Sequence, residues 1–331
     1  MTASSYEDRD PCMAKSRAGG LPAASQAGAP DEAGNDSRAT DAHPHCSEDG
    51  TCAVRVSPRL GLTMPGATSP ARRQPLLNVW ADDLSMEELL QRLGGPAGGV
   101  VFTVNPDHLY HLQYNPAFLR AYRSADIITV DSHYVRLLLR LLGRPVAHRL
   151  AGSDIVPAFC ARQGADRASD TRIFLLGAKP GVAAAAQASI NAKVGRELVV
   201  GAHGPSMNFV NDPEEIEAVL AQIRASGANV LLVGLGAPKQ EIWIASVRDR
   251  LPQVRVMMGV GATIDYEAGA VQRAPMWLRR LGLEWTYRVF TEPGRYLMRY
   301  VRSSRFVWWM ILDRMGRYKD PFDGTATPLP R

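Results

Sequence analysis

Cysteine is scarce and badly placed to hold a metal. Of the four, Cys12, Cys46 and Cys52 sit in a polar N-terminal stretch and Cys160 lies beyond it, with no CxxC pair of the zinc type. His43, His45, Cys46 and Cys52 come nearest to a ligand set, but their surroundings have the composition of an unstructured tail, which makes them incidental. Long hydrophobic runs are missing too. No stretch approaches the roughly 18 apolar residues of a membrane span, and no apolar leader core follows the first basic residues. The chain therefore reads as cytosolic. No internal repeat is visible. Nucleotide fingerprints are also incomplete: Gly234-Leu-Gly236-Ala-Pro-Lys239 lacks the third glycine of GxGxxG, Gly177-Ala-Lys-Pro-Gly181 lacks its spacing, and neither fits a Walker loop. That argues against a nicotinamide-dependent or P-loop enzyme, and a Rossmann-type oxidoreductase stays as a rival reading. The DxD motif that holds a divalent cation in many sugar transferases occurs as Asp8-Arg9-Asp10, deep in the tail and far from any strand end.

What is present is ample core material and an uneven charge. The chain has 331 residues, 46% of them hydrophobic, enough for one large or two modest domains. Its net charge is +5. From Val271 to Arg331 there are 12 Arg and Lys against 5 Asp and Glu, a local +7 that leaves −2 for everything before it. The basic character belongs to the C-terminal segment. It points to phosphate or an anionic membrane surface and away from a generally basic, nucleic-acid-binding protein.

Residues 1–75 are rich in Ala, Gly, Ser, Pro and Asp and poor in large apolar side chains, so they cannot offset their ordering entropy. We expect a disordered tail there, an α/β core over 76–270, a basic helical appendage over 271–318 and a flexible end over 319–331. In the core, apolar runs at Gly99–Asn105, Asp126–Asp131, Arg172–Gly177, Glu197–Ala202, Asn229–Gly234 and Val254–Val260 read as strands covered on both faces. Helical stretches at Pro106–Ala125, Ser132–Gly143, Ser153–Gln163, Gly181–Val194, Pro213–Ser226 and Pro238–Leu251 separate them. This alternation predicts a doubly wound, mostly parallel Rossmann-like sheet, with ligands beyond the carboxyl ends of its strands.

Unusual residues gather at those ends. Thr103 and Asn105 close the first strand, Asp131 the second, Gly177 the third, Gly234 and Gly236 the fifth, and Asp265 follows the sixth. In Val230–Ala245 an apolar strand runs into a glycine turn, a proline and then Lys239, Gln240 and Glu241 at a helix start. Unpaired N–H groups at such a start attract an anion. The alternative for each glycine is a turn that needs positive φ.

The ordered segments TVNPDHL, ADIITVD, HRLAGSD, FLLGAKPG, LLVGLGAPKQE, GVGATIDYEAG and QRAPMWLRRLGLEWTYRVFTEPGRY resemble the bacterial WecG/TagA/CpsF glycosyltransferases over roughly residues 76–305. The resemblance implies transfer of a sugar from a UDP-sugar to a polyprenyl-diphosphate-linked sugar, in the making of cell-surface polysaccharides. It implies that Asp131 is the catalytic base, taking the proton of the attacking hydroxyl; the plainer role for Asp131 is to cap the helix that starts near Ser132. Thr103 and Asn105 match the TxN pair that positions substrate beside the base, or else satisfy backbone groups at the strand end. Arg149, Gly152 and Asp154 fall in the HRLAGSD segment expected to bind substrate. Gly177, Gly234, Gly236, Lys239, Gln240, Glu241 and Asp265 are expected around the UDP moiety.

Three departures stand out: Ser132 where the family has glycine, His148 where glutamate precedes the arginine, and Pro205-Ser206-Met207 where an aromatic pair is usual. They bear on which sugars are used. Ser132 also keeps open a non-catalytic nucleotide-sugar-binding protein.

With no metal or other cofactor expected, fixed cations must stabilise the departing diphosphate. The resemblance assigns this to Arg288, Arg295 and Arg299, whose guanidinium groups suit a diphosphate; a solvated basic face is the alternative. From Arg295 to Tyr318 the pattern is helical, with Leu297, Tyr300, Val301, Trp308, Ile311, Leu312 and Met315 broadly on one side. Arg295, Arg299, Arg302 and Arg305 form a basic stripe, and Trp308 and Trp309 adjoin it. That combination suits a helix lying on anionic lipid at the inner face of the membrane, against a core helix or a homo-oligomer contact.

Overall fold

A computed structural model describes residues 72–323. Residues 1–71 and 324–331 lie outside the described part, and with them the Asp8-Arg9-Asp10 motif and the His43, His45, Cys46 and Cys52 group.

The described chain opens with an antiparallel hairpin of β1 (Arg72–Leu76) and β2 (Val79–Asp83). This hairpin starts inside the stretch whose composition reads as tail. Its apolar positions Leu76, Val79 and Ala81 are buried. The buried Asp82 fixes it to the core: Arg73 Nε donates to Asp82 Oδ1 at 2.9 Å and Ile128 N donates to Oδ2 at 2.8 Å. Helix α1 (Met86–Gly94) follows, with Ser85 and Glu88 forming a reciprocal capping box.

Six parallel strands make the main sheet, all six being those expected from the apolar runs. They are β3 (Gly99–Val104), β4 (Ile127–Val130), β5 (Ile173–Gly177), β6 (Val199–His203), β7 (Val230–Gly234) and β8 (Val256–Gly259). Their spatial order is β4-β3-β8-β7-β5-β6. Successive residues alternate between two apolar cores, one on each face. Phe102, Val104, Ile128, Val130, Leu231 and Val233 pack on one side; Val101, Ile127, Ile173, Val230, Leu232 and Val256 pack on the other. The carboxyl ends are level across much of the sheet, with Val104 beside Val130, Gly177 beside Gly234, and Val233 beside Gly259.

Helices cover both faces. The stretch expected as one helix over 106–125 is two, α2 (Pro106–Tyr114) and α3 (Pro116–Arg123). Asn115 makes the break: its side chain accepts from Phe118 N, and Pro116 is set for a first helical turn. Then come α4 (His133–Leu141), α5 (Gly152–Ala165), α6 (Val182–Val194), α7 (Pro213–Ala225), α8 (Lys239–Val247) and α9 (Thr263–Glu267).

The C-terminal appendage is helical as expected but in pieces: α10 (Met276–Arg280), α11 (Glu284–Thr291), α12 (Pro293–Ser303) and α13 (Phe306–Arg314). Phe306 and Met310 are buried in the core cluster that contains β3 and β4 residues. Arg123 donates to Asp320 at 2.7 Å, Tyr318 Oη donates to Gln113 Oε1 at 2.6 Å, and Arg144 pairs with Asp313. The appendage is thus tied to the far ends of α2 and α3 and to the segment after α4, while α12 meets Asp107 beside the carboxyl ends of β3 and β4.

Candidate active site

A cavity of about 710 Å³ lies between those strand ends and the appendage. Its polar side is made by Asn105, Asp107, Asp131, Arg149, Arg279 and Arg299. Four of the residues singled out in the sequence, Asn105, Asp131, Arg149 and Arg299, therefore meet on one wall.

Asp131 directly follows β4, and its N–H still donates to Val104 O at 2.9 Å, so the ladder holds it in place. The cap of α4 is made by Ser132, whose Oγ accepts from Val135 N at 3.4 Å. The capping role weighed for Asp131 falls to its neighbour. Ser132 has ordinary extended backbone, φ −96°, so this position needs no glycine. Arg149 reaches Asp131 from the side, with Nη1 at 3.0 Å from the carbonyl oxygen and 3.4 Å from Oδ1. Its other nitrogen pairs with Asp154 at 2.5 Å.

Asp154 is the hub of this wall. It accepts from Arg149, from Arg273 at 2.8 Å and from Arg279 at 3.1 Å. Burial is the largest single influence on its carboxyl and pushes its pKa up. The Arg273 hydrogen bond and the charges of Arg273, Arg149 and Arg279 together outweigh it, so the group stays below the ordinary carboxylate range. Asp154 does not line the cavity; it orients arginines that do. Arg273 and Arg279 lie in the QRAPMWLRR segment, but no local pattern marks them as partners of a residue 119 or 125 positions earlier.

Asn105 caps α2, its Oδ1 accepting from Asp107 N at 3.0 Å and His108 N at 3.2 Å. Its amide nitrogen is the donor group left for a ligand. The side chain of Thr103 is buried behind this wall. Its carbonyl accepts from Tyr122 Oη at 2.7 Å and lies 2.6 Å from His108 Nδ1. Burial holds the His108 imidazole down to a pKa of about 4. These two residues back the end of β3 with a closed hydrogen-bonded layer.

Asp107, in the first turn of α2, accepts from Arg299 at 2.8 Å, Arg302 at 3.2 Å and Ser303 Oγ at 3.3 Å. Arg302 also stacks on Tyr110, 4.6 Å from its ring centre. Arg299, expected at the diphosphate, and Arg302, its neighbour in the basic stripe, are thus both clamped onto α2. The backbones of Arg288 and Arg295 lie on α11 and α12, and their side chains fall outside the described part.

The glycine turns occupy the same sheet edge but do not line the cavity. Gly177 has φ +140°, and a Cβ there would stand 2.6 Å from the Gly234 backbone; a Cβ on Gly234 would in turn stand 2.7 Å from the Gly261 carbonyl oxygen, so each close approach requires its own glycine. Gly236 has φ +78°. Gln240 is buried, and its Oε1 accepts from both Gly236 N and Gly261 N at 3.2 Å. It clips the two turns together and uses N–H groups that the sequence reading offered to an anion. Gln240 Nε2 donates to Glu241 Oε1 at 2.8 Å, while Glu241 Oε2 has no hydrogen-bond partner in its buried setting. Lys239 is exposed, Gly152 packs on Val260, and Asp265 is half-buried in α9. Among the described residues no cluster of three or more His, Cys, Asp and Glu is gathered as a metal would need.

A parallel α/β sheet with its cleft beyond the strand carboxyl ends, walled by a carboxylate and ordered arginines, defines a ligand-handling protein of the doubly wound class. The chain matches the glycosyl transferase WecG/TagA/CpsF family over residues 74–320 and belongs to that family. Membership carries a glycosyltransferase role in cell-surface polysaccharide synthesis, with a nucleotide-sugar and a lipid-linked acceptor as the partners it suggests.

Proposed function

We propose that the protein moves a hexosyl or N-acetylhexosaminyl group from a UDP-sugar to a polyprenyl-diphosphate-linked saccharide, with inversion and without a metal. The observation that carries this reading is Asp131: a carboxylate at the end of β4, on the cavity wall, with the helix cap beside it supplied by Ser132. An acceptor hydroxyl attacks the anomeric carbon from the face opposite UDP, its proton passes to Asp131, and the bond to the diphosphate oxygen breaks. Asn105 orients the sugar through its amide, and Thr103 acts by holding the strand end. The leaving diphosphate takes the outer edges of Arg149, Arg279 and Arg299, joined by Arg288 and Arg295 from the same helical appendage. The glycine turns and Asp265 border the nucleoside, with Gln240 acting from behind by holding two of the turns together.

The reaction takes place at the inner membrane face. Met298 and Trp308 are exposed among arginines of the appendage and outside the cavity, a composition suited to an anionic bilayer surface. No described helix is long and apolar enough to cross a membrane.

One assay tests the reading: transfer from a panel of UDP-sugars to polyprenyl-diphosphate-linked sugar in anionic vesicles. Asp131→Asn should lower the rate by about 10²–10⁴ with folding and UDP binding retained, and near-normal transfer would remove Asp131 as the base. EDTA should leave the rate unchanged; reversible loss refutes the metal-free step. UDP-sugar binding without turnover on any acceptor would favour the non-catalytic rival, and NAD(H) binding without UDP binding the oxidoreductase.

A further inference from the structure

The cavity is two-sided. Beyond its polar wall, α4 contributes Leu137, Leu138 and Leu141, and the appendage contributes Leu297, Val301 and Val307. In α4 the core-facing residues are Val135 and Leu139, which are buried. Leu137 and Leu141 lie on a different side of the helix and remain 54% and 73% exposed. A helix apolar on its core face and again on a second face is built for burial on both. Across the gap, Leu297 and Val301 are one helical turn apart on α12 and are 50% and 57% exposed. These walls offer aliphatic surface, which suits neither a sugar nor a phosphate.

The apolar walls are continuous with the polar one inside a single cavity, so its occupant must change from anionic and hydroxylated to aliphatic within one molecule. The headgroup end meets Asp131, Arg149 and Arg279, and the aliphatic end meets α4 and α12. We propose that the trough between α4 and the α12–α13 helices binds the isoprene units next to the diphosphate of the lipid-linked acceptor. The inference rests on the acceptor being polyprenyl-linked. It adds that the protein reads the lipid itself, and that the first units leave the bilayer to lie along Leu137, Leu141, Leu297 and Val301 while the rest of the chain stays in the membrane.

The test is equilibrium binding of soluble prenyl diphosphates with two, three and four isoprene units to the full chain, with inorganic diphosphate as the reference. Each added unit should tighten binding at least about tenfold until the trough is filled, since each brings five carbons into partial contact with aliphatic walls. Leu137→Glu and Val301→Glu, both at sites more than half exposed, should erase the chain-length dependence while UDP binding and thermal stability persist. Met207→Glu, at an apolar site 90% exposed and outside the cavity, should retain the full dependence. A flat response in the unaltered protein overturns the proposal. So does dependence that survives Leu137→Glu and Val301→Glu together, or that Met207→Glu removes equally, because either result means non-specific adsorption. Transfer to the lipid-linked sugar with a flat chain-length response removes the trough and spares the transferase reading. Chain-length dependence with no transfer does the reverse.

Discussion

Glu241 is fully buried, with one carboxyl oxygen bonded to Gln240 and the other without a hydrogen-bond partner. Burial pushes its pKa from the ordinary 4.5 to about 7, against the lowering effect of the Gln240 hydrogen bond. The folded protein therefore favours the protonated acid. Its contribution to stability is full below about 4.5 and is lost as pH rises through about 7. His108 has the opposite sign: its pKa is depressed to about 4 by burial, so its contribution is present above the ordinary 6.5 and lost as pH falls through 4. Glu241→Gln keeps the shape and removes the charge. It should leave the acid side of the stability profile unchanged and flatten the fall between pH 5 and 8, a difference on the order of 2–3 kcal/mol by pH 8. Melting temperatures of both forms across that range check it; parallel profiles would mean that Glu241 ionises freely in the fold.

At the scale of elements, one of the contacts that place the appendage is the first turn of α2 against the last turns of α12. Asp107 is held well below the ordinary carboxylate range. Burial is the largest influence and raises its pKa, but the His111 hydrogen bond and the Arg299 charge outweigh it. Asp107→Asn would leave Arg299 and Arg302 without a counter-charge, and would cost roughly 2 kcal/mol given their partial exposure. Amide exchange over residues 293–303 should quicken at least tenfold while the β3–β8 strands keep their protection. Unchanged exchange in α12 would mean that packing alone holds it. The sheet and its order of helices were legible in the sequence because both-face burial writes continuous apolar runs, and the α2–α3 break was there to read in Asn115-Pro116. The hairpin was not, because its few apolar positions follow a long polar stretch. Asn105, Asp131 and Arg149 could be found as strand-end or motif residues. Asp107, Arg273 and Arg279 could not, since their partners are brought together only by the fold. The GLGAPKQE turn shows the same limit: it points to an anion until Gln240 is seen taking the Gly236 N–H together with that of Gly261 in the next turn.

The whole molecule raises a different question: whether the basic appendage is a separate module or part of the folding unit. The described residues fall in one compact unit. Phe306 and Met310 of α13 are buried with Val104 and Val130 of the sheet. The Arg123–Asp320 and Arg144–Asp313 pairs join the appendage to the end of α3 and to the segment after α4. These contacts make the appendage cooperative with the sheet, so the catalytic wall and the helices facing it should melt together. Phe306→Ala tests this at a buried ring of α13 that also borders the cavity. It removes a nearly buried ring and should lower stability by about 3–5 kcal/mol, read as a downward shift of one calorimetric transition whose enthalpy still matches its van't Hoff value. Should the variant instead show a small early transition that leaves the main one in place, the appendage unfolds on its own. The arginine wall would then be assembled only when the helices dock. A single shifted transition means that the cavity stays assembled in the free protein and needs no docking step before acceptor binding.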